Sequence, residues 1–214
     1  MRNLPMQILI VSATTAEIGP FLDKFPTADH LVTGVGIPAM VYHLTKRLQQ
    51  IDYDLVILAG IAGAFSNNVE LGEVVVVKND CFADIGVKEK GNISSIFEMG
   101  LADADEFPFS MERICSTAEL TGYRTVDAIT INRISDEREY INQLIIKYNP
   151  EIESMEGAAF HYVCALEKVP FIQLRSISNY VGERNKANWK MKEAILALNT
   201  VLEKAVHHFS TNND

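Results

Sequence analysis

Four stretches of the chain carry side chains able to act on a small polar substrate. Glu17 follows the polar run Ser12-Ala13-Thr14-Thr15, itself preceded by the apolar residues 7–11. A carboxylate there can draw a proton from water. It can equally be an exposed acid favoured by the amino end of a helix. Gly60-Ile61-Ala62-Gly63-Ala64 is a run of mostly small residues after an apolar segment. In a turn, such residues leave backbone N–H groups open to a ribose hydroxyl, a phosphate or a carboxylate; they also suit a tight turn with no ligand. The pattern is neither GxGxxG nor a P-loop.

Ser154-Met155-Glu156-Gly157-Ala158-Ala159 puts a glutamate beside three small residues at a helix start. A carboxylate so placed can accept two hydrogen bonds from a vicinal diol, or the segment is a capped, tightly packed helix with a core methionine. Arg175-Ser176-Ile177-Ser178-Asn179-Tyr180-Val181-Gly182-Glu183-Arg184 sets polar groups beyond an apolar strand, and Trp189 follows. These groups either meet a ligand or satisfy turn carbonyls. Trp189 reads as core or as the wall against a flat aromatic ring. His161 reads as a packing histidine, and His207 and His208 as helix-end residues.

The elements that must hold these residues can be placed from periodicity. Strands are expected over residues 7–11, 54–59, 72–77, 124–131 and 171–178, with shorter extended pieces at 30–33 and 152–155. Helices are expected at 16–25, 38–50, 111–120, 135–148, 156–167 and 188–209. Asn149-Pro150 ends the fourth of these. Residues 60–64 read as a turn, 88–108 as a long surface loop that could act as a lid, and 210–214 as a frayed tail. Strands alternating with helices give an α/β fold: one domain over residues 1–209, with a central mixed, largely parallel sheet flanked by helices. In such folds ligands gather at the carboxyl ends of strands, which is where the four stretches fall.

Composition narrows the partners. The 19 basic and 28 acidic residues leave a formal charge of −9 over 214 residues, a poor match to nucleic acid. No apolar run approaches the ~20 residues that span a bilayer, and the amino terminus has no secretory pattern. Cys81, Cys115 and Cys164 are too scattered for a disulfide framework or a zinc site. Cys164, inside Tyr162-Val163-Cys164-Ala165-Leu166, reads as core packing. A reducing, cytoplasmic setting is expected.

Together these pieces, in this order, resemble the purine nucleoside phosphorylase and nucleosidase superfamily. The resemblance implies that Glu17 is the water-activating base of the hydrolytic branch. It places Gly60, Ile61, Ala62 and Gly63 beside the sugar, with Ile129, Thr130, Ser154, Met155 and Ser178 also at the substrate. Met155-Glu156 is similar to the pair whose glutamate holds the ribose 2′- and 3′-hydroxyls. Asn179 stands where methylthioadenosine nucleosidases carry the aspartate that protonates adenine N7. An asparagine amide can instead donate to O6 of a 6-oxopurine and accept from a protonated N7. Ser178-Asn179-x-Val181-Gly182-x-Arg184 with the following tryptophan resembles the futalosine hydrolase family, which removes hypoxanthine from a carboxyphenyl-bearing inosine derivative in menaquinone biosynthesis.

Arg184, then Arg133, is expected to meet the substrate carboxylate. The loops at residues 12–17 and 34–39 carry no lysine or arginine, which favours water over phosphate. No metal or organic cofactor is implied, and a homodimer or larger homo-oligomer is. The nearest alternatives are a methylthioadenosine/adenosylhomocysteine nucleosidase or a purine nucleoside phosphorylase. A nucleoside-binding protein without turnover has no use for Glu17.

Overall fold

A computed structural model describes residues 6–211. The amino-terminal reading at residues 1–5 and the frayed tail at 212–214 lie outside it. The elements in chain order are β1 (Ile8–Ser12), α1 (Thr15–Lys24), β2 (His30–Val32), α2 (Ile37–Leu48), β3 (Leu55–Ala64), β4 (Val74–Phe82), β5 (Gly86–Glu89), β6 (Asn92–Ser95) and β7 (Ile114–Cys115). Then come β8 (Thr125–Thr130), α3 (Arg138–Tyr148), β9 (Ile152–Ser154), α4 (Gly157–Leu166), β10 (Phe171–Tyr180) and α5 (Met191–Thr211).

The sheet is mixed and largely parallel, as expected. β1 pairs in parallel with β2 and β3, β3 with β10, and β8 with both β4 and β9. The antiparallel contacts are β10–β4, β3–β9 and β4–β7. Because β10 pairs with both β3 and β4, the path β3-β9-β8-β4-β10 returns on itself. Period-2 alternation sends side chains to both faces. Ile10, Ile57 and Leu174 pack with Ile18, Phe21, Leu198 and Leu202 of α1 and α5. Leu9, Val11, Val56 and Leu58 pack with Met40 and Leu44 of α2 and Phe160, Val163 and Cys164 of α4. Cys164 is therefore core, as its neighbours in sequence suggest.

Three expectations change. Residues 60–64 are not a turn but the second half of β3, held between β10 and β9. Residues 111–120 are not helical: Met111 and Glu112 have φ of 49° and 64°, outside the helical region, and β7 runs instead along the edge of β4. The 88–108 segment takes part in a β5–β6 hairpin whose turn residues Lys90 and Gly91 have φ of 51° and 82°, the geometry that matches strand twist in a two-residue hairpin. Boundaries also move. α3 begins at Arg138 rather than Ser135, whose hydroxyl accepts the Glu137 N–H. The last helix begins at Met191 after a 3-10 turn at Lys186–Asn188, and it continues through Ser210 to Thr211. At the end of α3, Asn149 adopts the left-handed conformation and its N–H bonds the Ile145 carbonyl, a C-cap reinforced by Pro150.

Two polar contacts position the site from behind. Asn199 of α5 is buried. Its Nδ2 donates to the Glu17 carbonyl (2.8 Å), and its Oδ1 accepts the Phe21 N–H (2.8 Å). That clamp bridges α1 where Pro20 lacks an N–H. At the start of α4 a Cβ on Gly157 would overlap the buried Asp80 carboxylate and Gln173 amide. Gly157→Ala should therefore lower the unfolding free energy by about 1–3 kcal/mol. Gly19→Ala, inside α1 with nothing within 4 Å of the new methyl, should raise it by about 0.5–1 kcal/mol. Urea unfolding of both variants beside the parent checks the contrast.

Candidate active site

At the carboxyl end of β1 the chain turns through Ala13 and Thr14 into α1. Glu17, 7% exposed, falls at the third helical position, where a glutamate can fold back on the N-cap residue. Its Oε2 accepts the Thr14 N–H (2.9 Å), the Thr14 hydroxyl (2.8 Å) and the Ser12 hydroxyl (3.1 Å). Its Oε1 accepts only the Ile61 N–H of β3 (3.1 Å), so one lone pair of that oxygen stays free. The exposed-acid reading is thereby excluded. Glu17 is a fixed carboxylate with an available acceptor, wedged between a helix start and the central strand.

Glu156 enters from the end of β9. It is 4% exposed; its Oε1 accepts the Gly36 N–H (3.0 Å), and its Oε2 lies 3.6 Å from a guanidinium nitrogen of Arg175. Arg175 sits at 1% exposure in the middle of β10, donating to the Ile61 carbonyl and to the Ser154 hydroxyl, each at 3.2 Å. Gly60 lies in register with Arg175, and a Cβ there would overlap the guanidinium. Gly60 thus makes room for a buried cation rather than exposing backbone to a ligand.

At the far end of β3, Gly63 is in register with Glu153 of β9 on one side and Asn179 of β10 on the other. The place a Cβ would take on Gly63 lies 3.3 Å from Asn179 Nδ2 and 3.5 Å from Glu153 Cγ. Asn179 Oδ1 accepts the Ser178 hydroxyl (2.8 Å), and its Nδ2 donates to the Tyr180 carbonyl (3.1 Å). One N–H and one lone pair of the amide remain. Burial pushes the Glu153 carboxyl up to about 7, against the pull of Arg184.

These groups share one cavity of about 250 Å³. Glu17, Ile61, Ala62, Gly63, Ser154, Met155, Glu156, Ser178 and Asn179 all line it. Gly60, Ile129, Thr130 and Arg184 do not. Gly60 is covered by Arg175, and Ile129 is in the core with Cys81 and Tyr148. The Thr130 hydroxyl donates to Asp80 (2.9 Å) and accepts the Ala158 N–H (2.7 Å), tying down α4. Arg184 is exposed and reaches the site through its field on Glu153. Arg133 lines a second cavity with Lys88 and Tyr140, while Ile134, the next residue, lines the first.

Trp189 resolves as a lining residue, its indole N–H held by the Glu183 carbonyl (3.0 Å). His161 is buried packing: its Nδ1 lies 2.9 Å from the Ile114 carbonyl, and burial holds its pKa down to about 4. Glu153, Val35, Ile134 and Met191 are lining residues that sequence reading passes over. Only Glu153 offered a sign: a charged residue between Ile152 and Met155 in an extended, apolar segment. Three carboxylates and no lysine or arginine line the cavity. Such a lining suits growing positive charge on a bound group and gives no cation to an anionic nucleophile.

The family model described as the phosphorylase superfamily matches residues 30–209. A futalosine hydrolase of Thermus thermophilus is 30% identical over 205 residues, covering 89% of this chain and 91% of that protein. A 5′-methylthioadenosine/S-adenosylhomocysteine nucleosidase of Hydrogenovibrio crunogenus is 27% identical over 191 residues, with 83% and 79% covered. Among solved structures, a futalosine hydrolase of Helicobacter pylori superposes with a TM-score of 0.78 at 16% identity, over 97% of this chain and 100% of that one.

The Glu153 environment sets a pH signature. A carboxyl raised from 4.5 to about 7 binds protons more tightly in the folded than in the unfolded chain. Its contribution to stability is therefore lost as pH rises from about 4.5 to 7, and above that its ionised form costs up to about 3 kcal/mol. Glu153→Gln should accordingly be more stable than the parent at pH 8 and about equal at pH 4.5. Chemical unfolding at the two pH values measures the difference.

Proposed function

The chain belongs to the phosphorylase superfamily, and on that footing we propose that it hydrolyses the N-glycosidic bond of futalosine, releasing hypoxanthine and dehypoxanthine futalosine in menaquinone biosynthesis. The observation that carries the reading is the convergence of Glu17, Glu156 and Asn179 on one cavity whose lining holds no cation. Glu156 accepts hydrogen bonds from the ribose 2′- and 3′-hydroxyls, and its pairing with Arg175 keeps its carboxylate oriented. Water held by the free lone pair of Glu17 Oε1 attacks the anomeric carbon as the bond to N9 breaks. The sugar passes through an oxocarbenium-like state that the carboxylates around it stabilise, and Glu17 takes the water proton. The bond's electrons flow into the purine, where Asn179 donates to O6 and accepts from N7–H once solvent has protonated that nitrogen.

Asparagine is also what separates this reading from an adenosine-type nucleosidase. An amide whose orientation is fixed by the Ser178 hydroxyl and the Tyr180 carbonyl, and so matched to O6 and N7–H, leaves polar groups unpaired when a 6-amino purine enters. The substrate carboxylate needs a cation at the end remote from the base. Arg184 acts on Glu153, at the base end, whereas Arg133 follows Asn132, whose Oδ1 holds the Ile37 N–H beside the ribose-facing Gly36. That placement supports Arg133 over Arg184 for the carboxylate. The protein works in the cytoplasm and as a homo-oligomer; the exposed apolar side chains of Tyr42, Leu101, Phe107 and Met111 support only the second of these.

Base release from futalosine, inosine and methylthioadenosine, with and without phosphate, tests the assignment. Release from futalosine in the absence of phosphate is expected; release only with phosphate, or only from methylthioadenosine, overturns it. Glu17→Gln should lower turnover by about 10²–10⁴-fold while substrate still binds. Asn179→Asp should lower the ratio of 6-oxopurine to adenine nucleoside hydrolysis. Arg133→Ala should raise KM for futalosine at least about tenfold more than for inosine, and Arg184→Ala should not.

A further inference from the structure

The geometry points to Glu153 as the residue that reads the N1–H of a 6-oxopurine, completing the recognition that Asn179 begins at O6 and N7. This rests on the site's assignment to a purine nucleoside, and it goes beyond the residues that assignment names.

The argument begins with sheet register. Residues directly opposite on paired strands present their side chains to the same face. Gly63 is opposite Glu153 on β9 and opposite Asn179 on β10, so the three form one row across three strands. Gly63, having no side chain, leaves a slot between its two neighbours, and both approach the point where its Cβ would be. All three line the cavity. A flat base lying over Gly63 therefore meets Asn179 at one side and Glu153 at the other.

The hydrogen-bonding pattern of the base fits that row. N7, O6 and N1 follow one another around a 6-oxopurine, the first two on one edge and N1 on the adjoining one, and N1 carries a hydrogen that needs an acceptor. The other two cavity carboxylates are committed: Glu17 to Ser12, Thr14 and Ile61, and Glu156 to Gly36 and Arg175. Glu153 is 5% exposed, and among the described residues its carboxylate has no hydrogen bond or ion pair within 4 Å. A carboxylate at the cavity wall without a protein donor becomes costly once a ligand displaces its water, and an N1–H supplies the missing donor. Its perturbed acidity, set by burial, agrees with a group whose partner arrives with the ligand. Adenine presents a lone pair at N1, which an ionised Glu153 repels, so selection for the N1–H sharpens as pH rises above 7. Base selection thus has two independent readers on two strands.

Binding of free bases to the intact protein separates this from a structural role. The parent should bind hypoxanthine at least about tenfold more tightly than 1-methylhypoxanthine, whose N1 carries no hydrogen. Glu153→Met, similar in volume and without an acceptor, should lose roughly tenfold for hypoxanthine and leave 1-methylhypoxanthine within about twofold. Glu153→Gln keeps a carbonyl acceptor and should restore most of the hypoxanthine affinity. Equal losses for the two bases in Glu153→Met, or unchanged hypoxanthine binding, overturn the assignment. If Glu153→Met does not fold, the parent decides: no preference for hypoxanthine over its N1-methyl derivative overturns it. Hydrolysis is read separately. A protein that ranks the bases as expected yet releases none from futalosine refutes the hydrolase reading and leaves Glu153 as a base reader.

Discussion

The ion pair between Arg175 and Glu156 is the contact on which the site depends. Both residues are almost wholly removed from water, at a separation of 3.6 Å. Two charges taken into a protein interior lose hydration worth several kcal/mol each, which only close pairing and further hydrogen bonds offset. The surrounding structure supplies those bonds. Arg175 reaches the Ile61 carbonyl and Ser154, while Glu156 takes the Gly36 N–H. β3, β9, β10 and the segment leading into α2 are thereby joined at one point. A carboxylate with the proposed diol-binding role needs its orientation fixed before substrate arrives, and an interior guanidinium fixes it more firmly than an exposed lysine could.

That arrangement explains why glycine appears where it does. Gly60 gives way to the Arg175 guanidinium, Gly63 to Asn179 and Glu153, and Gly157 to Asp80 and Gln173. In each case the missing Cβ accommodates a polar side chain from a neighbouring strand. The backbone at Gly60 and Gly63 is strand, Gly60 paired with β10 and Gly63 with β10 and β9. A small-residue run at the end of an apolar strand has two physical explanations, an open turn or a crowded sheet. They look alike in one dimension, because the side chains that crowd this run, among them Arg175, Asn179 and Glu153, come from distant parts of the chain.

Periodicity made most of the fold legible. The apolar runs that become β1, β3, β4, β8 and β10 and the helices between them are local patterns, and so is the stop at Asn149-Pro150. What local pattern missed was imposed from outside the segment. Residues 111–120 read as a helix, yet only Ile114 and Cys115 form regular structure, a two-residue strand paired with Asp80 and Asn79 of β4, with Ile114 buried there. The site was legible in the same degree. Glu17, Glu156 and Asn179 stood out as polar groups at the carboxyl ends of strands, where ligands gather, and Met155 as the neighbour of Glu156. Arg175 stood out only as one of the polar groups after an apolar strand, and Glu153 did not, since each owes its role to cross-strand neighbours.

The sequence by itself determined the fold class, the acidic charge balance and three of the polar groups that converge, because these follow from residue type and short-range spacing. The tertiary structure alone decided that Glu17 is clamped rather than exposed, that Arg175 is interior, that Thr130 and Ile129 serve packing, and that Glu153 faces Asn179 across Gly63. Each of those outcomes turns on strand order and register. A register shift of one residue would turn every such side chain to the opposite face, so no single segment contains the information.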